Sequence, residues 1–210
     1  LEFRRVLFRS VPTERVVKIL VLGDTATGKT SIIKRYVYSD FSDKHVATAT
    51  VDFTLKIIVR DDITYRMQLW DIAGQDRFQN ISRVYYRNSH AAFIVCDNTK
   101  PETLANVVKW KNQIGEKTVL PNGKPLPVIL LVNKCDLTEN ALSDEAVTSA
   151  CKECGIDTWF RTSAKTGENI GKCMEELLNK VISFDDIWEV ESSEDAISPS
   201  TSEETKKGCC

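Results

Sequence analysis

The sequence predicts an α/β domain with a mainly parallel, six-stranded sheet, one antiparallel strand and helices on both faces. Apolar, β-branched runs alternate with helical patterns for most of the 210 residues, as βα units on a parallel sheet do. Two of the runs follow one another with no helix between them, so they pair as a hairpin that sets one strand antiparallel. A glycine-bounded stretch, Gly23-Asp24-Thr25-Ala26-Thr27-Gly28-Lys29-Thr30, joins the first strand to the first helix.

The first strand covers about Arg15 to Leu22, and the first helix runs from Lys29 to about Tyr38. The hairpin strands are Val51 to Arg60 and Ile63 to Asp71, with Asp61-Asp62 as the turn signal between them. Later strands are Ala91 to Cys96, Val128 to Val132 and the short Thr158 to Arg161. Helical spacing predicts helices over about Arg83 to Asn88, Glu102 to Lys117, Ser143 to Cys154 and Asn169 to Ser183. Residues 1–14 are expected to be a disordered or artefactual extension, because arginines interrupt every apolar pair and no hydrophobic segment forms. Past Trp188 the chain is rich in Glu, Ser, Asp and Thr and buries too little apolar area to offset its ordering entropy. The expected organisation is therefore a folded domain over 15–184 and a disordered tail over 185–210.

Composition narrows the function. The formal charge of −2 divides into +1 over 1–14, about +3 over 15–184 and −6 from Asp185 onward, and the domain's share is too weak and scattered for nucleic acid. No run of eighteen apolar residues occurs, so no segment is expected to span a membrane. The seven cysteines form no regular framework, and Cys151 and Cys154 lie within a helical pattern, so they read as reduced structural residues.

The glycine-bounded stretch has the form of a phosphate loop. Its successive backbone N–H groups aim at nucleotide phosphates, with a helix N-terminus and Ser31 behind them. Lys29 would reach the β- and γ-phosphates, and the Thr30 hydroxyl would ligate Mg²⁺. Asp71 ends a strand where a carboxylate can hold the same ion through water. In Asp71-Ile72-Ala73-Gly74-Gln75, the Gly74 N–H is free to sense a γ-phosphate and Gln75 suits the orienting of an attacking water. This leaves kinases, ATPases and GTPases open.

The base-reading residues decide among them. Asn133-Lys134-Cys135-Asp136 follows a buried strand, which sets Asp136 beside a base held at the sheet's carboxyl edge. A carboxylate accepts both guanine N1–H and N2–H, and adenine lacks that pair of donors. Ser163-Ala164-Lys165 follows the next strand, where a backbone N–H can meet guanine O6. Phosphate loop and base loops in this order point to GTP or GDP with Mg²⁺.

Over residues 15–184 and the terminal cysteines the chain resembles a Ras-superfamily small GTPase, more narrowly a Rab. Trp70 to Phe78 and Val84-Tyr85-Tyr86-Arg87 are similar to Rab switch II, and Val51-Asp52-Phe53 to the end of switch I. Ile72, Leu120-Pro121-Asn122-Gly123 and Asn133 to Leu137 are similar to the branch serving lysosome-related organelles. The resemblance implies the P-loop small GTPase fold, a Mg²⁺ ligand at Thr48, an edge-on Phe41 against guanine, and an effector-reading aromatic triad of Phe53, Trp70 and Tyr85. It implies double geranylgeranylation of Cys209 and Cys210, which would anchor the chain stably. It further implies an exchange factor, a GTPase-activating protein, effectors, a GDP-dissociation inhibitor and a prenylation escort protein. The implied place is the cytoplasmic face of endomembranes (endosome, lysosome-related organelle or Golgi), cycling with the cytosol.

Departures from the family pattern carry expectations of their own. Thr25 and Ala26 stand where many relatives have small residues or Gly, and a side chain at Thr25 would crowd the γ-phosphate and slow hydrolysis. Ala49-Thr50 replaces Ile-Gly, and Asp76 and His45 bear on partner choice. The rival readings are a GTP-binding interaction module with little or no hydrolysis and, more distantly, a P-loop ATPase or nucleotide kinase.

Overall fold

Two runs, Ala91–Asp97 and Val128–Asn133, are buried at every position, which requires cover on both faces. In the computed structural model, which describes residues 13–42, 51–72 and 83–188, they are β4 and β5, both interior strands of a six-stranded sheet. The others are β1 (Thr13–Leu22), β2 (Val51–Arg60), β3 (Ile63–Ile72) and β6 (Thr158–Thr162), in the order β2-β3-β1-β4-β5-β6. Only β2 runs antiparallel to its neighbour; β1 pairs in parallel with both β3 and β4. The hairpin turn at Asp61 and Asp62 has φ of 52° and 60°, the doubly left-handed geometry that matches strand twist.

The helices are α1 (Lys29–Tyr38), α2 (Arg83–Tyr86), α3 (Pro101–Ala105), α4 (Val107–Lys117), α5 (Asp144–Cys154) and α6 (Ile170–Ile182). α1 packs with α6, while α2 to α5 pack among themselves, so the two groups cover opposite faces. α6 buries Cys173, Met174, Leu177, Leu178 and Val181, one apolar stripe at helical spacing. Ser143 caps α5 by accepting from Ala146 N at 3.2 Å, and Gly155 ends it with φ of 63°. Cys151 and Cys154 lie on this helix as free thiols, and burial pushes Cys151 up to about 11.

Two features differ from the sequence expectation. The single helix expected over Glu102 to Lys117 is divided at Asn106, whose side-chain amide is tied to the loop before α1. Past residue 184, Asp185–Ile187 forms a 3-10 turn with Ile187 fully buried, and Trp188 stacks on His90 with ring centroids 5.6 Å apart. The Arg15 guanidinium lies 4.9 Å from the Trp188 ring centroid, so Arg15 of β1 and His90, just before β4, both meet the aromatic. At the other pole the strand order reverses between β1 and β4, which opens a crevice at the carboxyl ends.

Candidate functional site

The loop from Gly23 to Gly28 leaves the carboxyl end of β1 at that crevice and turns into α1. A Cβ at Gly23, where φ is 137°, would lie 2.2 Å from the Val95 carbonyl oxygen, so the loop presses on β4 as only glycine allows. A Cβ at Gly28 would lie 2.3 Å from Asn133 Nδ2. Gly28 caps α1 at a left-handed φ of 95° and with no side-chain hydrogen bond at the cap. Ala26 takes a left-handed φ of 65°, and Thr25 is exposed.

Lys29 is buried, and its Nζ donates to Gly23 O at 2.9 Å and Asp24 O at 2.8 Å. Burial pushes the ammonium down to about 8, against the opposing pull of Asp71 and Asp24. Thr27 Oγ1 donates to Asp24 O at 2.9 Å, closing the loop on itself. The Asp24 side chain turns the other way: its carboxylate accepts from Asn106 Nδ2 at 2.7 Å and Trp110 Nε1 at 2.8 Å. Only the backbone of Asp24 therefore faces the phosphate end.

Asp71, 4% exposed at the end of β3, accepts a hydrogen bond from the Thr30 hydroxyl. A hydroxyl and a carboxylate brought together beside a phosphate cradle are hard oxygen donors, and they fit Mg²⁺ completed by water and phosphate oxygens. Thr48, Gly74 and Gln75 lie outside the described residues, as do Cys209 and Cys210.

The base loops meet at Asn133. Its Nδ2 donates to Thr27 O at 2.8 Å, while its Oδ1 accepts from Ala164 N at 3.2 Å and Thr162 Oγ1 at 3.4 Å. One buried amide thus joins the phosphate loop to the Ser163-Ala164-Lys165 loop. Lys134, at φ of 66°, donates from Nζ to Asp97 Oδ2 at 2.7 Å. Burial pushes the Asp97 carboxyl up, but hydrogen bonds from Lys134 and Thr99 outweigh it and hold the group below the usual carboxylate range. Asp136 Oδ1 accepts from Ser163 Oγ at 2.6 Å, which draws the two base loops together. Phe41, half-buried after α1, lies with its ring centroid 5.9 Å from the Arg35 guanidinium.

Phe53, Trp70 and Tyr85 come together on the solvent side of the sheet. Phe53 and Trp70 are opposite each other across β2 and β3, stacked at 5.4 Å, and Trp70 meets Tyr85 at 6.3 Å. Phe53 is 55% exposed, and Lys18 Nζ sits 4.3 Å from the Trp70 ring centroid.

The chain is similar in sequence to known proteins. The Ras family model matches residues 18–183. The chain is 47% identical over 171 residues to human Ras-related protein Rab-32, covering 80% of this chain and 76% of that protein. The chain belongs to the Ras family. Human Ras-related protein Rab-7L1 is 40% identical over 200 residues, 94% of this chain and 98% of its own length. Rab-32A of Dictyostelium discoideum is 47% identical over 176 residues, 82% of this chain and 80% of its own. The chain is a Rab-type small GTPase, by family a switch in vesicle traffic.

Several residues of this Rab-type site escape a motif reading. Asn106 and Trp110 hold Asp24 from a distant helix pair, and Arg35 reaches the base loop from α1. Nothing in their local spacing marks them. Asp97 had a detectable signal, an acid closing a wholly apolar strand beside Asn133 in the register of β4 and β5.

Proposed function

We propose that the chain is a membrane-anchored GTP/GDP switch that recruits effectors in its GTP state and regulates intracellular vesicle traffic. The observation that carries this reading is the Asn133 side chain, which ties Thr27 of the phosphate loop to Ala164 of the base loop. A nucleotide spanning both loops would meet loop amides at its phosphates and the Asp136 carboxylate at guanine N1–H and N2–H. An adenine base would leave that carboxylate unpaired, a loss of about 10⁴ in preference for a site built on such bonds.

Thr30, Asp71 and Thr48 would hold Mg²⁺, which when bound neutralises charge on the phosphate oxygens. Lys29, already aimed into the loop by two carbonyls, would exchange them for phosphate oxygens. Gln75 would orient the attacking water, and Thr48 and Gly74 would sense the γ-phosphate. Unaided turnover in this class is of order 10⁻⁴ per second, and an activating protein's arginine finger raises it by about 10⁵.

Phe53, Trp70 and Tyr85 would form the surface that an effector reads, Phe53 being its exposed aromatic. Geranylgeranyl groups on Cys209 and Cys210 would anchor the chain, since two lipid chains hold where one binds marginally. Among the described residues no helix is long and apolar enough to cross a membrane. The expected partners are an exchange factor, an activating protein, a GDP-dissociation inhibitor and a prenylation escort protein. The left-handed Ala26 and the exposed Thr25 motivate the alternative of a module that binds GTP without cleaving it.

The test has two arms. GDP is expected to bind far more tightly than ADP with Mg²⁺ present, and equal affinities would remove the guanine reading. Single-turnover release of γ-phosphate is expected to be slow alone and fast with a Rab-activating protein; no release in either case would leave the binding module.

A further inference from the structure

The guanidinium of Arg35 spans two parts of the molecule that no sequence motif connects. Nε donates to Ala164 O at 2.7 Å, Nη2 donates to Lys165 O, and Nη1 donates to Ser39 O at 3.2 Å. The same group lies 5.9 Å from the Phe41 ring centroid. A planar fork with five donors suits such neighbouring carbonyls, and an ammonium cannot reproduce it. Arg35 sits six residues after Lys29 on α1, roughly 9 Å along the axis at 1.5 Å per residue. One helix thus carries phosphate-facing groups at its start and a latch on the base loop near its end.

We propose that Arg35 is a positioning residue for guanine recognition, acting by aiming the Lys165 amide at the base. The peptide unit between Ala164 and Lys165 is planar and trans, so its N–H points opposite to its C=O. Pinning Ala164 O on Arg35 therefore turns the Lys165 N–H away from Arg35. Neighbouring amides are already committed: Ala164 N donates to Asn133 Oδ1 at 3.2 Å, and Thr166 N donates to Ser163 Oγ at 3.0 Å. The Lys165 amide, between them, is the donor that Arg35 sets for the guanine O6. Asp136, which accepts from Ser163 Oγ, would read the neighbouring N1–H and N2–H donors of the same edge from its own loop after β5. The proposal rests on the guanine reading given above.

The test uses three diphosphates bound to the full chain with Mg²⁺ at neutral pH. GDP presents O6, 6-thio-GDP replaces it with a larger and weaker acceptor, and IDP keeps O6 but lacks the N2 amine that Asp136 reads. In Arg35→Ala the GDP to 6-thio-GDP affinity ratio is expected to fall roughly tenfold, the scale of one lost hydrogen bond to a charged or well-aimed donor. The GDP to IDP ratio should stay unchanged. Arg35→Lys keeps the charge and the stem but not the fork, so it should lose most of the same ratio, and it serves if the alanine variant does not fold. Equal loss for all three nucleotides, or no change in the thio ratio, would overturn the proposal. A wild-type chain with no preference for GDP over IDP would remove the base site itself and the proposal with it.

Discussion

The phosphate end of the site is fixed by backbone packing, with Gly23 pressed on Val95 and Gly28 on Asn133, whereas the base end is fixed by side chains from distant elements. Asn133 and Arg35 hold the base loops through hydrogen bonds to backbone, and Ser163 and Asp97 through the side chains of Asp136 and Lys134. Packing leaves no tolerance: an added methyl meets a carbonyl. A hydrogen-bonded frame can lose one member and weaken by degrees. The phosphate end should therefore fail abruptly on substitution, and the base end in graded steps.

Gly23→Ala gives the largest expected effect. Its Cβ would lie 2.2 Å from Val95 O at a φ of 137°, so clash and backbone strain together should cost about 3 kcal/mol or more. Urea unfolding checks this, and a loss below 1 kcal/mol would show that the loop can retreat from β4.

Asn133→Ala cuts the link between the two ends. Removing buried hydrogen bonds to Thr27 O and Ala164 N should weaken GDP binding on the order of a hundredfold. Isothermal titration reads it, and retained affinity would mean that the loops are fixed independently.

A third prediction concerns pH. Lys29 stands at about 8 among the protein's own groups, and phosphate contact would raise it, so binding above pH 8 must take up a proton. Affinity for GDP should accordingly fall by roughly tenfold between pH 7 and 9. Lys29→Met should bind weakly at every pH and lack that dependence, and parallel profiles for the two proteins would refute the assignment.

The smallest effect is expected from Trp110→Phe, which keeps the ring and removes only the N–H that Asp24 accepts. GDP dissociation should quicken about fivefold, near 1 kcal/mol for one hydrogen bond, while Trp110→Ala should also lose core packing and melt earlier. Stopped-flow release of a fluorescent GDP would separate the two.

Contiguous features were the legible ones. α1 begins and ends where the pattern places it, because the glycine at its cap and the run of apolar residues are both local. The hairpin was legible for the same reason, since two acids in a two-residue turn leave little choice of geometry. The break at Asn106 was not legible, because one asparagine within Glu102 to Lys117 does not by itself end a helix; the partner that holds its side chain is Asp24. Trp188 was similarly hidden: it follows the last helical pattern and borders an acidic tail, yet His90 and Arg15 make a place for it.

By itself the sequence determined the fold class and the succession of strands and helices along the chain. Glycine positions, strand periodicity and the placing of an acid after a strand are constraints that act within a few residues. Only the tertiary structure decided which way the Asp24 carboxylate points, which helix steadies the base loop, and that one asparagine amide serves both ends of the nucleotide site. Those outcomes depend on groups separated by tens of residues, whose meeting is fixed by how the strands order and the helices pack.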